Sequence, residues 1–251
     1  MEVLPAIDLR DGKVVRLRQG DYAEQTTYSS DPAGVAKTLA AAGAKWIHVV
    51  DLDAARTGAP ANAPALRAIC EAVGLKVQFG GGMRNDAAIE SALSVGVARV
   101  VVGSAALKDW AWFHRLVGRT EMAGRIALGL DARAGRLAVQ GWTRQTQVTA
   151  VEVARRVRGW LLGAIVYTDI ARDGMLAGVN IPATAELIAA TDVPVIASGG
   201  VSCLQDVLEC KRIGCAGVIV GRAYYEGKID LARACALAGE DPGGGSEEKK
   251  F

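Results

Sequence analysis

Three aspartates, Asp8, Asp51 and Asp131, each close a short apolar run, where a side chain can carry protons. A carboxyl group at such a strand end is partly desolvated, which raises its pKa and makes it a better acid or base near neutral pH. Asp51, with Asp53 and Arg56 close by in sequence, reads instead as a loop cap or the partner of an arginine. Asp8 and Asp131 read as a reacting pair. The stretch Thr168-Asp169-Ile170-Ala171-Arg172-Asp173-Gly174 adds a hydroxyl, two acids and a base in one loop. Asp169 is expected to tether the backbone there, whereas Asp173 beside Gly174 can swing over a pocket and compete with Asp131 as the acid. Only two histidines, His48 and His114, are present, so a Ser-His-Asp triad or a histidine metal site is hard to assemble. His48, inside an apolar run, reads as a packed or orienting residue, and His114 as exposed on a helix.

Glycines supply a second kind of chemistry. Where a strand end meets a helix start, they let backbone N–H groups approach an anion closely, and the helix dipole adds positive potential. Gly81-Gly82 with Gly103-Ser104 form one expected grip, and Gly199-Gly200 with Gly221-Arg222 form another, Gly178 being counted with these phosphate-site residues. Any one cluster could be no more than a tight turn. Two paired clusters point to a substrate with a phosphate at each end, and Asp8 and Asp131 would each serve one end of its sugar. Trp142, after Gly141, is either a mobile cover that stacks on a planar heterocycle or a residue packed on a rim. Arg18 and Arg84 are expected phosphate or carboxamide ligands, or else surface charges.

These groups need elements to hold them. Eight apolar, β-branched-rich runs alternate with stretches of helical period: roughly Glu2–Asp8, Lys45–Asp51, Leu75–Phe79, Ala98–Val102, Arg125–Asp131, Gly163–Thr168, Val193–Ala197 and Ala216–Val220. Asp31-Pro32 starts the first helix and Gly43 ends it; Asn85 or Asp86 starts the third, and Ser202 or Cys203 the seventh. Eight strands apolar on both faces, each followed by a helix, predict a single α/β domain, a (β/α)8 TIM barrel, over residues 1–238. The chain also repeats itself. The same 118 residues separate Gly82 from Gly200 and Gly103 from Gly221, and Asp8 precedes Asp131 by 123. A period near half the length predicts two half-barrels that place equivalent loops across one mouth.

Composition narrows the rest. The chain has 251 residues, 51% hydrophobic and 22% charged, and a formal charge of +2. That charge is too small and too scattered to suggest a nucleic acid or membrane partner. No run approaches the length of a transmembrane helix, and no leader is apparent, so a cytoplasmic location and a monomer are expected. Five cysteines without a Cys-x-x-Cys spacing signal neither disulfides nor zinc. The tail, residues 239–251, is Gly-rich and charged and is expected to be disordered.

The ordered series Pro5-Ala6-Ile7-Asp8-Leu9, Asp11-Gly12-Lys13-Val14-Val15-Arg16-Leu17, Gln19-Gly20-Asp21, Gly80-Gly81-Gly82-Met83-Arg84, Leu130-Asp131, Gly141-Trp142, Thr168 to Gly174, Ser198-Gly199-Gly200-Val201 and Val220-Gly221-Arg222-Ala223 spans nearly the whole chain. It closely resembles the histidine-biosynthesis isomerases that act on phosphoribosylformimino aminoimidazole carboxamide ribotide. The resemblance implies an Amadori rearrangement of an aminoaldose to an aminoketose, with no cofactor and no metal. It implies Asp131 as the acid that opens the ribose ring, or Asp173 in its place, Asp8 as the base at C2′, and Thr168 as a hydrogen-bonding helper. Other readings stay open. Arg144, two positions past Trp142, could meet the carboxylate of phosphoribosyl anthranilate and make the enzyme bifunctional. The related cyclase usually has a cysteine where this chain has Ala6. A noncatalytic phosphosugar-binding barrel is the reading from a different class.

Overall fold

Every one of the eight apolar runs is a strand. The computed structural model describes residues 1–240, apart from Gln19, Gln140, Thr143 and the side chain of Arg18. In chain order the strands are β1 (Glu2–Arg10), β2 (Lys13–Arg18), β3 (Asp21–Ser29), β4 (Trp46–Asp51), β5 (Lys76–Gly80), β6 (Arg99–Val102), β7 (Ile126–Arg133), β8 (Arg136–Val139), β9 (Arg144–Thr149), β10 (Ala164–Asp169), β11 (Val195–Ser198) and β12 (Gly217–Val220). The parallel neighbours run β10-β11-β12-β1-β4-β5-β6-β7, and β7 pairs with β10 to close the ring. The eight-stranded barrel anticipated from the sequence is therefore present.

Closure explains why these runs are apolar on both faces. Alternate residues point inward and outward. The inward set forms its own small cluster of Leu4, Ala6, Ala127, Ala164, Val166, Ile196 and Ile219, while the outward set packs on the helices. Register then levels the strand ends: Asp8 lies beside Val50, Val50 beside Gly80, and Thr168 between Asp131 and Ser198. Helix starts fall where capping chemistry puts them. The Asp31 carboxylate accepts from Gly34 N at 2.9 Å with Pro32 following, Asn85 accepts from Ala88 N, and Cys203 precedes the helix Leu204–Arg212.

Two hairpins extend the barrel beyond what the apolar runs predicted. Strand β1 turns back at Asp11-Gly12 into β2 and β3, and β7 turns back at Ala134-Gly135 into β8 and β9. Both turns place two consecutive residues at positive φ (49° and 73°; 50° and 75°), the geometry of tight hairpins. They are equivalents, 123 residues apart like Asp8 and Asp131. Beyond them the offset falls to 118, because the second hairpin is five residues shorter: the helix caps Asp31 and Thr149 are already 118 apart. Residues 241–251 lie outside the described residues, and the chain up to Gly239 continues the last helix, Leu231–Gly239.

Candidate active site

Four barrel positions separate β1 from β7 in either direction, so Asp8 and Asp131 arise on opposite sides of the mouth. Asp8 is nearly buried, and its Oδ2 accepts from Arg16 Nη1 at 2.5 Å. Arg16 comes from β2, whose antiparallel register sets Val15 opposite Asp8. Its guanidinium lies against Gly221, where any Cβ would overlap it. Burial alone would lower the pKa of Arg16, but Asp8 and Asp173 outweigh burial and hold it above its ordinary value. The sequence reading gave Arg16 no role.

Asp131 is bonded from the side. Trp142 Nε1 donates to its Oδ2 at 2.8 Å, and Thr168 donates as well. Burial pushes the Asp131 carboxyl up, and these two donors partly offset that. Asp173 reaches the same space from the loop after β10. Burial pushes its pKa to about 6; Arg16 opposes the rise, while Asp8 and Asp131 add to it, and the Gly174 N–H pulls it back slightly. Asp8 and Asp173 thus share one guanidinium, while Asp131 is held by Trp142 and Thr168, and burial drives both Asp131 and Asp173 toward holding a proton. Trp142 sits at φ 70°, half-buried, with its ring against Gly20. The two hairpins therefore meet over the mouth through this ring.

The glycines line the other two sides. Gly81 and Gly82 follow β5, Gly103 follows its neighbour β6, and Gly199, Gly200 and Gly221 stand equivalently after β11 and β12. Gly81 (φ 99°) and Gly199 (φ 88°) cannot carry a side chain for a second reason: a Cβ would strike the Asp51 carbonyl in one case and the Asp169 carbonyl in the other. Gly178 N donates to Gly200 O at 2.9 Å, joining the loop after β10 to the second cluster. Gly103 and Gly221 each begin a short helix, Ser104–Lys108 and Arg222–Tyr225, with no side chain to cap its first amides. Ring order sets β5/β6 opposite β11/β12, so the two clusters face each other across the line joining Asp8 to Asp131.

Asp51 and Asp169 brace loops. Asp51 accepts from Ala54 N at 2.9 Å, Asn62 N at 3.0 Å and Asn62 Nδ2 at 2.7 Å, a cap and not an arginine pair. Asp169 accepts from Ala171 N at 3.0 Å and Asn180 Nδ2 at 2.6 Å. Both Asp–Asn pairs span 11 residues, and they are 118 residues apart. The Arg84 guanidinium donates to Ala55 O at 2.8 Å and lies over Gly58. That of Arg222 donates to Gly174 O at 2.6 Å and pairs with Glu226. Arg144 is exposed on β9, Ser104 is exposed at its helix start, and the Arg18 side chain lies outside the described residues. His114 is exposed in the helix Trp110–Val117, whereas His48 lies within the barrel against Gln78. Among the described residues, no cluster of three His, Cys, Asp or Glu is placed to hold a metal ion, and no helix is long and apolar enough to cross a membrane.

Comparison with known proteins agrees with this geometry. The family described as histidine biosynthesis protein matches residues 2–230. A protein of Rhodopirellula baltica is 49% identical over 243 residues, covering 96% of this chain and 95% of its own. One of Anaeromyxobacter sp. is 47% identical over 238 residues, with 95% and 99% covered, and one of Symbiobacterium thermophilum is 49% identical over 247, with 96% and 98% covered. All three are named 1-(5-phosphoribosyl)-5-((5-phosphoribosylamino)methylideneamino) imidazole-4-carboxamide isomerase.

Proposed function

The chain belongs to the histidine biosynthesis protein family, and from that premise we infer that it is the aldose–ketose isomerase which converts the phosphoribosylformimino aminoimidazole carboxamide ribotide to its phosphoribulosyl form. The observation that carries the reading is a pair of opposed glycine clusters flanking a set of three carboxyl groups. The substrate lies across the mouth, one phosphate on the amides around Gly81, Gly82 and Gly103 and the other on those around Gly199, Gly200 and Gly221. Binding energy realised at the two ends can then hold the reacting carbons in place.

In the first step an acid protonates the ribose ring oxygen. The C1′–O bond breaks toward that oxygen, and the nitrogen lone pair closes a protonated Schiff base. A base then removes the C2′ proton, the electrons neutralise the iminium nitrogen, and the enolamine takes up a proton at C1′ while its 2′-hydroxyl gives one up to the base side, leaving the C2′ carbonyl of the ketose. Asp8 is the base, oriented by Arg16. Asp131, named as the acid from sequence, is held by Trp142 and Thr168, and burial raises its pKa as it does that of Asp173, which lies near 6; the engagement of Asp131 by two donors supports Asp173 as the acid and Asp131 as the group that positions the sugar.

The test is turnover of the purified protein with the aminoimidazole carboxamide substrate, followed spectroscopically, with phosphoribosyl anthranilate run in parallel. Asp8→Asn is expected to lower kcat at least about a hundredfold. A noncatalytic phosphosugar-binding barrel would show no turnover in either form and undiminished ligand binding in the variant.

A further inference from the structure

Beneath the carboxyl groups, a line of three polar side chains climbs through the apolar interior of the barrel. Arg99, on β6, donates from Nε to Gln78 Oε1 at 2.7 Å and from Nη1 to Gly163 O at 3.1 Å, and its guanidinium lies 4.3 Å from the centre of the Trp46 ring. Gln78, on β5, has no exposed surface, and its Nε2 stands 2.9 Å from His48 Nδ1. His48, on β4, pairs in register with Ala6, so it lies one inward-facing level below Asp8 on the adjacent strand. The shallow recess at the far end of the barrel is lined by Glu2, Leu4, Trp46, Arg99, Ala164 and Ile196 among others, and it does not reach His48. His48 is nevertheless half-buried, not sealed, and since the far-end recess does not include it, the mouth is the side from which a ligand could reach its ring.

The direction of these hydrogen bonds is forced. A guanidinium only donates, so the end of the Gln78 amide that faces it must be the carbonyl oxygen. The NH2 end then faces His48 and also donates, which leaves Nδ1 no role but acceptor. We infer that Arg99, acting through Gln78, locks His48 as the neutral tautomer with its proton on Nε2, a permanent hydrogen-bond donor held out to a substrate oxygen on the Asp8 side of the pocket. Arg99 and Gln78 are positioning residues in this scheme; the part played by the donor in turnover rests on the isomerase reading above, whereas the tautomer itself does not.

The surroundings favour the same state. Burial, with the cations Arg16 and Arg99 on either side, pushes His48 down to about 3, so the ring carries no charge at working pH. Burial lowers Arg99 as well, but only to about 10, and it stays a cation. An imidazolium would set an N–H against the Gln78 NH2, two donors with no acceptor between them. Asp8 thereby gains a neutral neighbour below it, and among the described residues the cation that grips its carboxylate is Arg16.

Long-range 15N–1H spectra of the histidine rings test this without any turnover. The protein has only two histidines, and His114→Gln removes the signals of the other. The expected spectrum shows His48 with a pyridine-like Nδ1 and a protonated Nε2, unchanged between pH 5.5 and 8.5. A protonated Nδ1, an averaged pair of shifts, or titration in that range would overturn the assignment. Gln78→Glu supplies the reversing variant: its carboxylate accepts from Arg99 and from His48 alike, so the proton should move to Nδ1. With the isomerase substrate, that variant is expected to lose about tenfold in kcat with a smaller change in KM, the scale of one lost hydrogen bond. Unchanged kcat in a variant whose tautomer has flipped would refute the functional part alone. Should Gln78→Glu fail to fold, the wild-type spectrum still decides the tautomer, and Arg99→Met, which frees the amide to rotate, is expected to give a mixture of tautomers and a partial loss of kcat.

Discussion

An acid with a pKa near 6 writes its signature into the pH profile. If Asp173 delivers the first proton, kcat/KM is carried by its protonated form: with a value of about 6, half the molecules are competent at pH 6, about one in eleven at pH 7 and about one in a hundred at pH 8. The rate should therefore fall about fiftyfold between pH 6 and pH 8, with a limiting slope of one decade per pH unit. The sign follows from the role, since an acid is lost as pH rises. Arg16 is the cation that opposes this elevation, so Arg16→Met should move the limb to higher pH. Two unit charges about 6 Å apart interact by roughly 3 kcal/mol at an effective dielectric near 20, or roughly two pH units, and solvent in the open mouth reduces that to about one. The same variant also loosens Asp8, so the overall rate drops, but limb position and rate are separate readouts. The assay is kcat/KM from pH 5.5 to 9 at constant ionic strength for wild type, Arg16→Met and Asp173→Asn. A profile flat from pH 6 to 8, or a limb that persists unshifted in Asp173→Asn, refutes the assignment.

Other consequences are less involved. Because the folded-state pKa of Asp173 is raised above 3.8, this carboxyl contributes no penalty below that pH and an increasing one up to about 6; Asp173→Asn should stabilise the protein by up to about 3 kcal/mol at pH 8 and by almost nothing at pH 4, as read from urea unfolding. Gly81→Ala and Gly199→Ala each force a Cβ onto a carbonyl at positive φ, so each should raise KM at least about tenfold and weaken inhibition by inorganic phosphate; an unaltered KM in both would remove the two-grip binding mode. Asp51→Ala leaves Ala54 N and Asn62 N without their acceptor, while Asn62 Nδ2 keeps only Asp53, and should cost about 3 kcal/mol of stability by denaturant titration; a loss under about 1 kcal/mol would show that water replaces the carboxylate.

The barrel was legible because closure makes every strand apolar on both faces, so each one stands out as a run. The halves were legible because Gly82/Gly200 and Gly103/Gly221 keep one offset. The hairpins were not: β3 and β9 expose most of their residues and look like polar loop, and only the Asp11-Gly12 and Ala134-Gly135 turns betray them. Arg16 was hidden for the same reason, since it meets Asp8 only once β2 folds back on β1. Gln78 sits in an apolar run with no local clue to its partners, which come from β4 and β6. Asp51 and Asp169 were read as bracing residues from their neighbours in sequence, but their partners Asn62 and Asn180, each 11 residues on, carry no local signal and appear only in the fold.

Arg222 does two jobs at once. Its backbone opens the short helix at the rim of the second glycine cluster, while its side chain grasps Gly174 O, one residue past Asp173. On the proposed binding mode, seating a phosphate at that cluster and aiming Asp173 as the proton donor would be mechanically one event. An analogue stripped of that phosphate would meet an unsteady acid, and its poor turnover would persist even at saturating concentration.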